Sequence, residues 1–297
     1  MKNNILLTGG TGFIGTHLVH ALMEKKYSVH ILSRQNSEYS REGLQNSGVS
    51  IHEFIEEDLL EEKLSEIKPD LVVHLASLFI AEHRPAEVAD LIDSNLKYAS
   101  QILDAAVNSG VKRFINTGTV WEHYNNSRSY NPTCLYAATK YAFQKIIDFY
   151  VEAHELSAVT LLLTDTYGEN DKRGKLISYI KETISKDGKL KFSPGEQLID
   201  LVHVDDVVNA YMICIERLLE NSLKGHKRYT ISSGEPKTLK QVIHLIRELI
   251  TRPLYVDWEA RPYRKREMMK SYDKGENLPD WKPEVNLQAG LSRIMEE

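Results

Sequence analysis

The segment Ile5-Leu6-Leu7-Thr8-Gly9-Gly10-Thr11-Gly12-Phe13-Ile14-Gly15 constrains this chain more than any other stretch. An apolar run breaks into a turn with glycine at positions 9, 12 and 15, then resumes with helical periodicity. A strand feeding such a turn into a helix builds a phosphate cradle. One glycine permits the tight turn, another lets backbone approach a pyrophosphate, and a third lets helix pack on strand. The helix N-terminus then offers unpaired N–H groups to the anion. The spacing is Gly-x-x-Gly-x-x-Gly rather than Gly-x-Gly-x-x-Gly, which points to one branch of the dinucleotide-binding folds. Gly9, Thr11, Gly12, Phe13, Ile14 and Gly15 are the expected contacts.

Short apolar runs alternate with helical periodicity through the first half, which predicts an α/β, Rossmann-type doubly wound parallel sheet. Strands are expected at 4–8, 28–33, 51–54, 71–75, 114–116 and 158–164, with helices over 12–25, 94–109 and 135–154. Beyond Gly168 the pattern loosens. A helix over 172–185 and a small strand over 189–192 precede a return to the sheet domain with 202–204 and a helix over 207–219. Further segments follow at 229–232 and 239–250, then a basic stretch at 261–266. This interleaving predicts a dinucleotide-binding domain from 1–167 and 199–222. A smaller, mostly C-terminal substrate lobe would comprise 168–198 and 223–297, with a cleft between the two.

With 37 basic against 42 acidic residues, the charge gives no footprint for a nucleic acid or an anionic membrane. The longest apolar runs are strand-sized, far short of a membrane span. Cys134 and Cys214 are too far apart in sequence to read as a disulfide or metal framework, and no metal is expected. With no signal pattern at the N-terminus, a cytoplasmic, reducing setting is expected.

The chemistry-bearing motif is Tyr136-Ala137-Ala138-Thr139-Lys140. Helix positions four apart share one face, so phenol and ammonium project together. An ammonium beside a phenol stabilises phenolate and lowers the tyrosine pKa. A tyrosine tuned in this way exchanges a proton with a carbonyl or alcohol. Upstream, Thr117-Gly118-Thr119 closes the fifth strand, where open parallel sheets bind ligands, and a threonine hydroxyl there can reach the reacting oxygen. Strand two ends Leu32-Ser33-Arg34-Gln35, without the acid that would hold a ribose 2′-OH. Ser33 and Arg34 suit a 2′-phosphate instead, which indicates NADP(H).

Together these motifs resemble the extended short-chain dehydrogenase/reductase family of nucleotide-sugar epimerases, dehydratases and reductases. The resemblance spans nearly the whole chain. It takes in Asp58-Leu59, His74-Leu75-Ala76, Asn95, Thr117, Tyr136-x-x-x-Lys140, Tyr167-Gly168, the run from Asp200 to Val207, and Arg261-Pro262-Tyr263. It implies Tyr136 as acid/base, Lys140 as its partner and a ribose ligand, and Thr117 as the polarising hydroxyl. It also implies cofactor contacts from Asp58, Leu59, Leu75, Ala76, Ser77 and Asn95, and substrate contacts from Thr119, Asn170, Lys175, Arg261 and Arg264. The His203-Val204-Asp205-Asp206 segment is read as structural. A homodimer through the helices at 94–109 and 135–154 is implied as well.

The family's 4,6-dehydratases carry Thr-Asp-Glu where this chain has Thr117-Gly118-Thr119, which argues against dehydration. The Thr117–Glu122, Leu135–Lys140 and Asp165–Asp171 segments are similar to those of the CDP-abequose and CDP-paratose synthase branch. That branch reduces CDP-4-keto-3,6-dideoxyglucose with NADPH in O-antigen pathways. The expectation is an NADPH-dependent nucleotide-sugar 4-ketoreductase acting on a CDP- or dTDP-linked sugar. The alternatives are an NAD-dependent 4-epimerase and a non-catalytic NADP-binding sensor.

Overall fold

A strand covered on both faces tolerates no polar alternation, and β1 (Asn4–Thr8) shows this directly: Ile5, Leu6 and Leu7 are fully buried. The computed structural model describes residues 2–34, 44, 48–54 and 60–296. In it β1 is an interior strand of a seven-stranded sheet. Its partners are β2 (Ser28–Arg34), β3 (Ser50–Phe54), β4 (Leu71–His74), β5 (Arg113–Thr119), β6 (Ser157–Leu163) and β7 (His226–Ile231). All pairings are parallel, in the order β7-β6-β5-β4-β1-β2-β3. The expected doubly wound sheet is present.

Helices close both faces. On one, α1 (Phe13–Glu24) and α7 (Val204–Leu219) pack Leu18, Val19, Leu22, Val207 and Tyr211 over β1 and its neighbours. On the other lie α2 (Leu60–Ile67), α4 (Tyr98–Asn108) and α5 (Leu135–His154). α5 has the expected bounds: extended backbone at Cys134 precedes it, and Glu155 at φ 55° ends it. The helix expected over 94–109 starts earlier, with α3 (Val88–Ile92) joined to α4 through a π turn at Asp93–Lys97. Two helices were not expected, α2 and α9 (Leu287–Glu296).

A third apolar cluster underlies the smaller lobe, where α6 (Leu176–Ser185), α8 (Leu239–Leu249) and α9 meet. α6 begins later than expected because Gly174 is left-handed at φ 66° and Arg173 pairs with Asp171 at 2.7 Å, which together hold a turn. The sheet also extends past the expected break at 222, because β7 adds to β6 as the edge strand. Among the described residues, no helix is long and apolar enough to cross a membrane, and no group of three His, Cys, Asp or Glu could hold a metal ion.

Asp206 joins the two regions. Its buried carboxylate accepts from Glu284 N at 2.8 Å and Val285 N at 3.2 Å, and its carbonyl accepts from Trp281 Nε1 at 3.0 Å. Asp206→Ala leaves these two backbone donors without the carboxylate and should cost about 2–3 kcal/mol. The check is urea unfolding with an unaltered m-value; an unmoved midpoint would show that the contacts do not hold this segment.

Candidate active site

The glycine turn is as tight as its spacing requires. Gly9 sits at φ 70°, and a Cβ there would stand 2.7 Å from the Ala76 nitrogen. A Cβ on Gly15 would lie 2.2 Å from the Gly9 carbonyl oxygen. Gly12 caps α1, and its N–H donates to Gly9 O at 3.0 Å. The turn faces a cavity of about 320 Å³ beyond the carboxyl ends of the strands. Gly9, Thr11, Gly12, Phe13, Ile14 and Gly15 line it, together with Ser33, Leu75, Ala76 and Ser77. Bare backbone at a helix N-terminus beside a cavity of this shape fits a dinucleotide pyrophosphate. The Arg34 side chain, Asp58 and Leu59 lie outside the described residues.

Thr117, Thr119 and Tyr136 line the same cavity. Thr117 Oγ1 donates to the His74 carbonyl at 3.0 Å and lies 2.6 Å from the Tyr211 hydroxyl of α7. Tyr211 is a residue that the sequence reading missed. Thr119 Oγ1 accepts from Trp121 N at 3.2 Å and so starts the 3-10 turn Val120–Glu122. His74 is buried, its Nδ1 2.7 Å from Thr8 Oγ1, and burial pushes its pKa down to about 3, with Lys140 adding to the effect. It is therefore neutral, and it lies buried outside the cavity lining.

Tyr136 and Lys140 share a face of α5, as expected, but the electrostatics differ from the simple pair. Burial raises the Tyr136 phenol above the ordinary tyrosine range, against a hydrogen bond with Ser77 and the charge of Arg173. The net direction is thus opposite to the lowering expected from Lys140. Lys140 is 1% exposed and stands behind Tyr136 rather than in the cavity wall. Burial pulls its ammonium down to about 8, with Glu122 pulling it back up. Asn95, expected at the cofactor, is instead a tie within the wall. Its Oδ1 accepts from Leu78 N at 2.7 Å and Ser77 Oγ at 3.2 Å, and its Nδ2 donates to Leu78 O at 2.8 Å and Thr139 Oγ1 at 3.2 Å. It therefore fixes the loop after β4 against α5.

A second cavity of about 620 Å³ adjoins the first, sharing Phe79, Trp121, Asp165, Thr166 and Lys175. Lys175, Arg261 and Arg264 all line it. Lys175 Nζ sits 4.6 Å over the Phe79 ring, and burial holds its pKa below the lysine range, with Arg173 adding. Arg264 is held by both Glu267 oxygens at 2.6 and 3.0 Å and stacks 5.1 Å from Trp121. Asn170 does not join them: it is exposed, left-handed at φ 61°, and lines neither cavity. Asp165 lines both cavities, and burial raises its carboxyl against the pull of Lys175 and Arg264. Sequence reasoning quoted it within a motif but gave it no role.

At Gly118 a Cβ would lie 2.6 Å from Leu162 Cδ2 and 2.8 Å from Thr160 Cγ2. A side chain at that position would have to displace both of these methyl groups.

These features define a dinucleotide-binding α/β protein with a Tyr-Lys helix face at the end of its fifth strand. The chain belongs to the NAD dependent epimerase/dehydratase family, whose model matches residues 5–229. A CDP-abequose synthase of Yersinia pseudotuberculosis is 31% identical over 246 residues, covering 82% of this chain and 84% of that protein. One of Salmonella typhimurium is 28% identical over 302 residues, covering 99% and 98%. Among solved structures, UDP-glucose 4-epimerase of Thermotoga maritima with UDP-glucose superposes with a TM-score of 0.85 at 26% identity, covering 99% and 97%.

Proposed function

We propose that this chain reduces the 4-keto group of a nucleotide-activated deoxyhexose with NADPH, in the synthesis of surface-polysaccharide (O-antigen) sugars. The sugar would be of the CDP-4-keto-3,6-dideoxyglucose type. The observation that carries the proposal is the meeting of the glycine cradle, Thr117 and Tyr136 in one cavity that opens into a larger one lined by Lys175, Arg261 and Arg264. The relatives named CDP-abequose synthase support the choice of reaction and of the CDP handle.

The glycine turn would hold the cofactor pyrophosphate, and Ser33 with Arg34 its 2′-phosphate. When bound, NADPH supplies hydride to the carbonyl carbon. Tyr136 donates its proton to the carbonyl oxygen, and the Lys140 ammonium behind it stabilises the phenolate that develops. Thr117 polarises the same oxygen by turning its proton from the His74 carbonyl, while Tyr211 keeps it in place. Lys175, Arg261 and Arg264 neutralise the diphosphate, Arg261 through its planar fork and Arg264 through the N–H groups that Glu267 does not take. The expected homodimer through α4 and α5 belongs to this proposal; the 60% exposed Phe149 on α5 supports it.

A thermal-shift panel of NAD(H), NADP(H) and nucleoside diphosphates provides the test. A ligand at about 100 times its Kd adds about 2.7 kcal/mol to the native state. NADPH and CDP should each raise the melting temperature, and the 4-keto sugar should consume NADPH stoichiometrically. Stabilisation by NAD alone, with product formed at no net cofactor cost, would favour the 4-epimerase instead. That alternative has the Thermotoga maritima structure in its favour. Binding without turnover would leave the sensor.

A further inference from the structure

The polar face of α5 does not stop at Lys140. Tyr136, Lys140, Gln144 and Asp148 follow at four-residue spacing and so stack on one side. Gln144 Nε2 donates to both carboxylate oxygens of Glu122 at 2.7 and 2.9 Å. Arg228 Nε of β7 donates to Gln144 Oε1 at 3.0 Å, and Arg228 Nη2 also donates to Asp148. Asp148 Oδ1 lies 2.7 Å from His226 Nδ1. Glu122 thus ends a row of polar groups that begins near the surface and runs inward behind the catalytic tyrosine.

Glu122 and Lys140 are each 1% exposed. A buried charge without a partner gives up its ionisation rather than stay unpaired. Lys140 makes no side-chain hydrogen bond among the described residues, and the acid that attracts it is Glu122. We propose that Glu122 is a positioning residue whose carboxylate is the counter-charge that keeps Lys140 an ammonium behind Tyr136.

The surroundings leave this task to Glu122. Facing it are Lys140 and Gln144 of α5, Arg228 of β7 and the backbone at Thr119; Tyr130, Tyr136 and Tyr272 also feel its charge. The three phenols are all raised and so stay neutral, and His74, which faces Lys140, is neutral as well. Burial pushes Glu122 up to about 8. Its negative charge therefore develops over the pH range in which Lys140 would otherwise lose its proton. The pairing extends the ammonium form to higher pH.

Glu122→Gln keeps the shape and one of the two contacts with Gln144 but removes the charge. In the intact protein with NADPH and the 4-keto sugar, the alkaline limb of the kcat profile should move to lower pH by about one unit, a tenfold loss on the limb. The kcat plateau and the KM for NADPH should hold within about twofold. This arm rests on the proposed reduction. A second arm does not: the 13Cε resonance of Lys140, assigned with Lys140→Met, should titrate with a midpoint lowered by a similar amount. A uniform fall in kcat with an unmoved limb and an unmoved midpoint would overturn the proposal. A shifted midpoint in a protein that never reduces the sugar would uphold it and sink the proposed reaction instead. Should Glu122→Gln fail to fold, Gln144→Leu removes the two donors to the carboxylate and should move the midpoint in the same direction. An unmoved midpoint there overturns the proposal.

Discussion

Tyr136→Phe is expected to lower kcat for the reduction by about 10²- to 10⁴-fold, the range that a positioned proton donor supplies. The hydroxyl is the only atom removed, and the ring keeps its edge contact with Phe79 at 5.0 Å. Cofactor affinity should therefore change little, since the cradle is built from the backbone of the glycine turn. Steady-state kinetics combined with a cofactor thermal shift separates the two effects. A variant that keeps wild-type turnover would remove Tyr136 as the proton donor, and one that no longer binds NADPH would show the phenol to be a cofactor anchor instead.

Gly15→Ala attacks the glycine turn itself. Its new methyl group would meet Gly9 O at 2.2 Å and Gly10 Cα at 2.7 Å, both of them backbone, so the turn itself must move. Overpacking of this kind costs about 1–3 kcal/mol of stability. The larger effect should fall on binding, because the backbone N–H groups of this turn are the ones that would hold the pyrophosphate. The variant should fold with a lowered melting temperature and lose the stabilisation that NADPH gives the parent protein. Retention of the full ligand shift would mean that the pyrophosphate sits elsewhere.

Much of this was legible in the sequence because it is local. The Gly9-to-Gly15 turn, the bounds of α5 and the Tyr136–Lys140 face follow from neighbours within a few residues of one another. The parts that were not legible depend on long-range packing. Tyr211 reaches Thr117 across 94 positions of sequence, and Asn95 reaches Thr139 across 44. Neither contact leaves a periodic trace. Glu122 lies one turn beyond the 117–119 triplet in which the family's dehydratases carry their acids, so that motif assigns it no role. Asn170 stood beside genuine cavity residues in its motif, yet the left-handed turn that ends the motif carries it out to solvent. The direction of the Tyr136 shift was also hidden, since burial outweighs a charge four residues away and burial cannot be read from spacing.

The place of β7 at the sheet edge bears on how the protein is made. β6 is complete at Leu163, but its outer hydrogen-bonding groups find their partner only when His226–Ile231 emerges, more than sixty residues later. An unpaired strand edge is a template for association with another chain. Pairings so distant in sequence also form late. During synthesis, the nascent sheet therefore passes through an interval in which one flank is sticky and all of α6 and α7 must still be built. Chaperone demand, and any aggregation of destabilised variants, should concentrate on that flank rather than on the glycine turn that begins the fold.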